Sequence, residues 1–464
     1  MIRLSAAEIA TAVKGRLIGT DVDITGSVET DSRLVGPGSI FVCKPGEFTD
    51  GHNFAQSALE AGAVALVVER ELDVAAPQIL VSDSVIALGL LAAAVIERVR
   101  SVSEIKVIGI TGSNGKTSTK NMLRAILSKV GPTVAPIESY NNEVGAPISM
   151  LKIDEQTKYL VVEMGADGHG SIAYLAKLAK PDVAVELKVG MAHAGEWGGI
   201  DATYEIKSEL VRELGARGVL VYNCDDSYVS QMPSLTKAEA FSFGTSDSAQ
   251  LRISELKLSL DGTSCLVQYP DGAQALLTLR ILGEHQLMNA AASLAVAEKL
   301  GIARGLARNA LEELELAERW RMQLLERADG VFVINDAYNA SPDSMRAALQ
   351  TLAQLGRQGH RTIAVLGEMA ELGEFSAAEH DGIGRLAVRL NIDRVISVGA
   401  GAKLIHMGAS LEGSYDGESK HFDTIAEALE HLRGMLEPGD IVLVKSSKSA
   451  DLRHLGDDLV EVSQ

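Results

Sequence analysis

The chain has 464 residues, which at roughly 100–200 residues per domain predicts about three domains. Its 43 basic and 62 acidic side chains leave a net charge of −19, a field that repels nucleic-acid phosphates and anionic membrane surfaces. A hydrophobic fraction of 46% excludes global disorder, and Cys43, Cys224 and Cys265 lie too far apart for a disulfide framework or a CxxC zinc site.

The N-terminus, Met1-Ile-Arg-Leu-Ser5, has no basic-then-apolar export signal. Ser39–Cys43 reads as a strand, Asn53–Ala61 as a helix ended by Gly62, and Ala63–Glu69 as a buried strand. The longest apolar run, Val85 to Ile96, is well short of the ~20 residues that span a bilayer and reads as a buried helix. A soluble cytoplasmic protein is expected.

A second βα series begins with the strand Lys106–Ile110, followed by a glycine-rich turn and a helix over about Thr117–Val130. Tyr159–Glu163 and Asp182–Val185 are further strands with a helix between them, and Asp201–Leu214 is a helix. Residues 251–282 break the alternation: Leu251 to Leu258 alternates polar and apolar, Asp261-Gly262 is a hairpin turn, and Cys265-Leu-Val-Gln follows. A third series holds the strands Val331–Ile334, Thr362–Leu366, Arg394–Val398 and Asp440–Val444. Strands alternating with helices imply parallel sheets covered on both faces. The expected fold is α/β in three domains: an N-terminal α/β domain, a central P-loop-type parallel sheet with a small antiparallel insert, and a C-terminal Rossmann-like α/β domain. Boundaries fall near 103 and 317.

Thr111-Gly-Ser-Asn-Gly-Lys-Thr117 lies between a β-branched strand and a helix. Gly112 and Gly115 let backbone N–H groups of Ser113, Asn114 and their neighbours turn inward around phosphate oxygens, and the helix N-terminus through Ser118 adds its positive dipole end. Lys116 would reach the β/γ-phosphates and the Thr117 hydroxyl a Mg²⁺ ion. The strict Walker pattern wants a glycine at 110, which is Ile, so the loop is a variant. Glu163 closes an apolar strand, as a metal-binding carboxylate would; an N-cap for the following helix is the alternative.

These residues resemble the Mur ligase family, ATP-dependent amide-bond-forming enzymes of peptidoglycan precursor synthesis. The likeness runs through Thr111–Thr117, Glu163-Met-Gly-Ala166, Gly190-Met-Ala-His193, Lys207-Ser-Glu209, His285-Gln-Leu-Met-Asn289 and Asp336-Ala-Tyr-Asn-Ala340 in family order, with Asp31-Ser-Arg33, Pro37-Gly38 and Asp50-Gly-His52 similar to a uridine-nucleotide domain. The resemblance implies that residues 1–103 bind the UDP-sugar peptide, 104–317 bind ATP, and 318–464 bind the incoming amine. It implies catalytic roles for Lys116, His193 and Lys207, ATP contacts from Asn289, Arg321 and Asp336 (at the ribose), and Mg²⁺ held by Thr117, Glu163, His193 and a carbamylated Lys207. Substrate contacts are implied for Ser32, Arg33, Asp50, Asn141, Asn142, Tyr338 and Asn339. Read alone, Lys207 between Glu205 and Glu209 is a surface lysine. Carbamylation requires a neutral amine, hence a pKa lowered by burial or neighbouring cations.

Within the family, Tyr140-Asn-Asn-Glu-Val-Gly145-Ala-Pro147 and Asp336 to Met345 point to D-alanyl-D-alanine as the amine and a UDP-N-acetylmuramoyl-tripeptide as its acceptor, by way of an acyl phosphate. A monomer with no nucleic-acid or membrane partner is expected. The alternatives are the sister branch that adds a single diamino acid to the dipeptide nucleotide, a P-loop small-molecule kinase, and a non-catalytic nucleotide-binding scaffold. Ser341 replaces a usual Asn, Ser446 a common Gly and Trp320 a usual Gly before Arg321; Arg319 rivals Arg321 for the γ-phosphate. Lys445 and Lys448 read equally as partners for a peptide carboxylate or as a solvated basic loop.

Overall fold

The computed structural model describes residues 1–46, 49–136, 139–191, 194–315, 318–413 and 418–461; His193 and the expected boundary at 317 lie outside them. Beside a two-stranded antiparallel pair, Leu4–Ser5 with Asp23–Ile24, three larger sheets follow one another along the described chain. The first has five strands in the order Arg16–Ile18, Gln78–Leu80, Ala63–Val68, Ser39–Val42, Val28–Glu29, parallel except for the antiparallel first pair. The expected helix at 53–61 divides into a 3₁₀ turn, Gly51–Phe54, and a helix, Ala55–Glu60. The tighter turn forms because Asp50 accepts the His52 amide at 2.9 Å.

The second sheet has nine strands, in the order Thr133–Val134, Tyr159–Glu163, Lys106–Thr111, Val183–Glu186, Val219–Asn223, Glu239–Gly244, Leu251–Ser259, Gly262–Gln268, Gln274–Leu279. The antiparallel insert supplies the last three. They continue the sheet, because Phe243 and Gly244 pair in parallel with Leu251 and Arg252. The third sheet has six strands, in the order Gln323–Glu326, Phe332–Asn335, Ile441–Lys445, Thr362–Leu366, Arg394–Val398, Ser419–Phe422, parallel after the first pair.

The apolar run at 85–96 makes up the N-terminal part of helix Ser84–Val102. Its buried Leu88, Leu91, Val95 and Val99 belong to one core with Ile40 and Val67 of the first sheet, Leu160 of the second, and Leu175 and Leu210 on helices Ser171–Ala179 and Ile200–Arg212. The helix therefore welds the first two sheets together rather than hanging between them. Burying a side chain such as Leu91 is worth about 1.5–3 kcal/mol. On the other face of the central sheet, Met122, Leu123 and Ile126 pack with Leu287, Ala291 and Leu294. Among the described residues no helix is long and apolar enough to cross a membrane.

Candidate active site

The site forms at the carboxyl edge of the central sheet, where the third sheet faces it. Strand Lys106–Thr111 ends in a turn whose Gly112 (φ 145°) and Gly115 (φ 87°) occupy backbone conformations that side chains resist. Gly115 is the N-cap of helix Lys116–Ser128 and offers no side-chain cap. The first amide groups of the helix are thus left for an anion. A Cβ at Gly115 would also meet Asn289 Oδ1 at 2.4 Å. Lys116 Nζ is parked on the Gly112 carbonyl at 2.6 Å, and burial pulls its pKa below the ordinary lysine value.

Thr117, Glu163 and Asn141 converge. The Thr117 hydroxyl donates to Glu163 Oε1 at 3.2 Å and Asn141 Nδ2 donates to the same oxygen at 2.9 Å. Glu163 is 1% exposed, and its Oε2 is buried without a partner. A buried carboxylate oxygen left unsatisfied is costly unless something completes it. Hydroxyl and carboxylate oxygens beside a phosphate loop are the donor set that suits Mg²⁺, which takes one or two carboxylates plus phosphate and water. Among the described residues no group of three His, Cys, Asp or Glu side chains is placed to hold a metal.

Lys207, on helix Ile200–Arg212, is 2% exposed and sits under the Trp197 ring, 5.2 Å from its centroid. The surface reading of this lysine is corrected by the sheet: Ile206, Leu210 and Val211 turn the helix so that 207 faces inward. Burial, reinforced by the charge of Lys116, lowers its pKa to about 7. A neutral amine is therefore well populated at neutral pH, the condition that carbamylation needs. On the same face Glu186 is wholly buried with both oxygens unpartnered, and burial raises its pKa well above the ordinary carboxyl range. Glu163 pairs in register with Ile110 and Glu186 with Thr111, so the two strand-end acids point to opposite faces of the sheet.

The third sheet supplies the remaining side. Arg321 donates to Thr117 Oγ1 at 3.4 Å and lies 4.4 Å over the Tyr338 ring; the Tyr338 hydroxyl donates to Ser139 at 3.3 Å. Arg319, the rival for Arg321's role, instead pairs with Asp457 at 2.9 Å. Trp320 adopts φ 59°, which accounts for the usual glycine there. Its indole N–H donates to Asp457 and its ring lies under Arg319 and Arg453, holding the strained backbone. Asp336 accepts the Met322 amide and ion-pairs with Lys445 at 2.6 Å. Lys445 is 2% exposed, so it belongs to neither a solvated loop nor a free carboxylate trap. Ser341 caps helix Pro342–Gly356 and donates to Asn114 at 3.1 Å.

These residues line a cavity of about 350 Å³ that includes Ser113, Lys116, Thr117, Ser118, Asn141, Glu163, Lys207, Asn289, Arg321, Asp336, Tyr338 and Asn339. A second cavity of about 420 Å³ joins it at Asn114, Gly115, Lys188, His285 and Asn289 and is walled by Leu187, Phe243, Leu256 and Met288, an apolar slot suited to a base. Burial pushes His285 down to about 4, so it is neutral there. Ser32, Arg33 and Asp50 do not line either cavity. Arg33 folds back on Asp31, and Asp50 engages His52 and Arg70. Asn142 accepts the Gly145 amide and serves as a local turn. His285 and Lys445 stand out in the sequence, but neither Glu186 nor Lys188 does. Glu186 carried the same strand-end signal as Glu163.

Family models match along most of the chain: "Mur ligase family, catalytic domain" over residues 25–112, "Mur ligase middle domain" over 110–297 and "Mur ligase, glutamate ligase domain" over 320–448. The UDP-N-acetylmuramoyl-tripeptide–D-alanyl-D-alanine ligase of Mycobacterium tuberculosis is 40% identical, covering 99% of this chain and 98% of its own. A crystal structure of MurF from Acinetobacter baumannii superposes with a TM-score of 0.90 at 32% identity over 99% of both chains. MurF from Thermotoga maritima in complex with ADP superposes with a TM-score of 0.82 at 28% identity, over 94% and 97%.

Proposed function

Because the chain belongs to the Mur ligase family, we propose that it joins D-alanyl-D-alanine to UDP-N-acetylmuramoyl-tripeptide at the expense of ATP. It is an amide-forming ligase of peptidoglycan precursor synthesis. The observation that carries the reading is one cleft holding a phosphate loop, a buried strand-end acid with an unsatisfied oxygen, and a buried lysine poised to be neutral.

A carboxylate does not react with an amine until it is activated. Attack of the tripeptide carboxylate on the γ-phosphorus of ATP gives an acyl phosphate and ADP. The dipeptide amine then attacks the acyl carbon, and phosphate leaves. The transferring group is highly anionic, so catalysis is chiefly positioning and charge neutralisation. Lys116 and Arg321 approach that group from opposite sheets. The amides at the start of helix Lys116–Ser128 hold phosphate oxygens, and Asn114, Asn289 and His285 border the base and ribose. Thr117, Glu163, His193 and a carbamylated Lys207 would hold Mg²⁺. When bound, the metal supplies positive charge to the phosphates. Residues 1–103 receive the UDP-sugar peptide, 104–317 ATP, and 318–464 the amine. The enzyme works as a monomer in the cytoplasm, where ATP and UDP-sugars are made.

The test is phosphate release. It should require the tripeptide nucleotide and D-alanyl-D-alanine together. Release with a dipeptide nucleotide plus one diamino acid, and none with D-alanyl-D-alanine, would overturn the substrate assignment in favour of the sister ligase; a phosphorylated product with no inorganic phosphate would indicate a kinase.

A further inference from the structure

The segment Lys188–Met191 runs from the end of strand Val183–Glu186 towards His193, and it is fastened on two sides. On one side is the phosphate loop: the Ser113 amide donates to the Lys188 carbonyl at 2.7 Å, and the Gly190 amide donates to Ser113 Oγ at 2.9 Å. On the other is Asp343, in the first turn of helix Pro342–Gly356 on the third sheet. Asp343 Oδ2 accepts the Met191 amide at 3.0 Å, and Oδ1 meets Lys188 Nζ at 3.3 Å and Arg346 at 3.9 Å. The fit at Gly190 is close: a Cβ there would lie 2.3 Å from Asp343 Oδ2. Gly190 has no positive φ, so an alanine is barred only by the carboxylate.

We propose that Asp343 is a positioning residue that couples closure of the C-terminal domain to the phosphate loop, by gripping Met191 and Lys188 on the segment leading to His193. It rests on the ligase reading only in that closure precedes amide formation. Asp343 and its partner Lys188 border the phosphate cavity, but the carboxylate makes its hydrogen bonds to the Lys188–Met191 segment. It holds the segment that Ser113 also holds, so the loop and the third sheet share one strut. A charged hydrogen bond present only in the joined arrangement shifts that equilibrium by about tenfold or more.

The experiment uses the full chain with a non-hydrolysable ATP analogue and UDP-N-acetylmuramoyl-tripeptide, following domain closure by small-angle X-ray scattering beside steady-state kinetics. Asp343→Ala and Gly190→Ala should each lower the closed fraction and reduce kcat/KM for D-alanyl-D-alanine about tenfold, while Asp343→Asn, which still accepts the Met191 amide, falls between. The double variant should be no worse than either single one. Wild-type scattering from Asp343→Ala, with or without a kinetic loss, overturns the proposal. Should Gly190→Ala fail to fold, the Ala and Asn variants at 343 decide by their order. If the wild type releases no phosphate with the dipeptide, the ligase reading fails while the scattering still tests the strut.

Discussion

Replacing Lys207 by methionine should make the protein more stable and inactive at once. Lys207 is 2% exposed beneath Trp197, and burial together with Lys116 lowers its pKa from 10.5 to about 7. Between those values the unfolded chain binds a proton that the folded one does not. Stability therefore rises as pH climbs through that window, and the full penalty stands below pH 7. At 1.36 kcal/mol per tenfold, the penalty is about 5 kcal/mol. Methionine keeps the length and removes the charge. In CO₂-free buffer Lys207→Met should gain about 3–5 kcal/mol at pH 6 and close to nothing near pH 10. Urea unfolding read by tryptophan fluorescence measures it. Adding bicarbonate should stabilise the wild type alone, because a carbamate forms only on the folded protein's neutral amine, and ¹³C-bicarbonate should give a carbamate resonance that the variant lacks. Turnover should vanish. A variant no more stable than wild type at pH 6, or a gain that does not change with pH, would refute the reasoning.

Lys116→Ala should lower turnover about 10²–10³-fold with an unchanged circular dichroism spectrum, as expected for a lost donor at a developing charge; near-normal turnover at saturating ATP would sink the loop assignment. Glu186→Gln should stabilise the protein at pH 8 and not at pH 4. Burial raises the Glu186 pKa, so the folded state keeps a proton that the unfolded chain loses above about 4.5, and native stability declines as pH rises through that range; urea midpoints at the two pH values check it, and a loss at pH 8 contradicts it. Tyr338→Leu should raise KM for ATP about 2–30-fold by removing the ring beneath Arg321, the range of a cation–π contact, and Tyr338→Phe, which keeps the ring, should raise it less. Equal effects from the two would show that the hydroxyl bonded to Ser139, not the stack, is what matters.

Local signals carried much of the architecture. Tyr159–Glu163, Thr362–Leu366 and Arg394–Val398 are strands over the residues that their apolar runs mark out, because each run is bounded by polar or turn-forming residues. The phosphate loop is legible for the same reason: its chemistry lies within seven consecutive residues. Burial of Lys207 is not, since its neighbours Glu205 and Glu209 suggest a solvated face and only the sheet decides otherwise. The Asp336–Lys445 pair joins residues 109 positions apart. It exists because Phe332–Asn335 and Ile441–Lys445 are adjacent strands, a fact of topology that no local pattern contains. Glu186 was within reach, but a strand-end acid does not announce which face it takes until the register with Thr111 is known.

The most direct test of the ligase chemistry follows an oxygen atom. UDP-N-acetylmuramoyl-tripeptide labelled with ¹⁸O in both oxygens of its terminal carboxylate would be turned over with ATP and D-alanyl-D-alanine, and the inorganic phosphate analysed by mass spectrometry. An acyl phosphate passes one carboxylate oxygen to phosphorus when the amine displaces it, and the other stays as the amide carbonyl. Each phosphate released should carry one ¹⁸O atom. Unlabelled phosphate formed alongside the new amide would contradict activation of the carboxylate by phosphorylation.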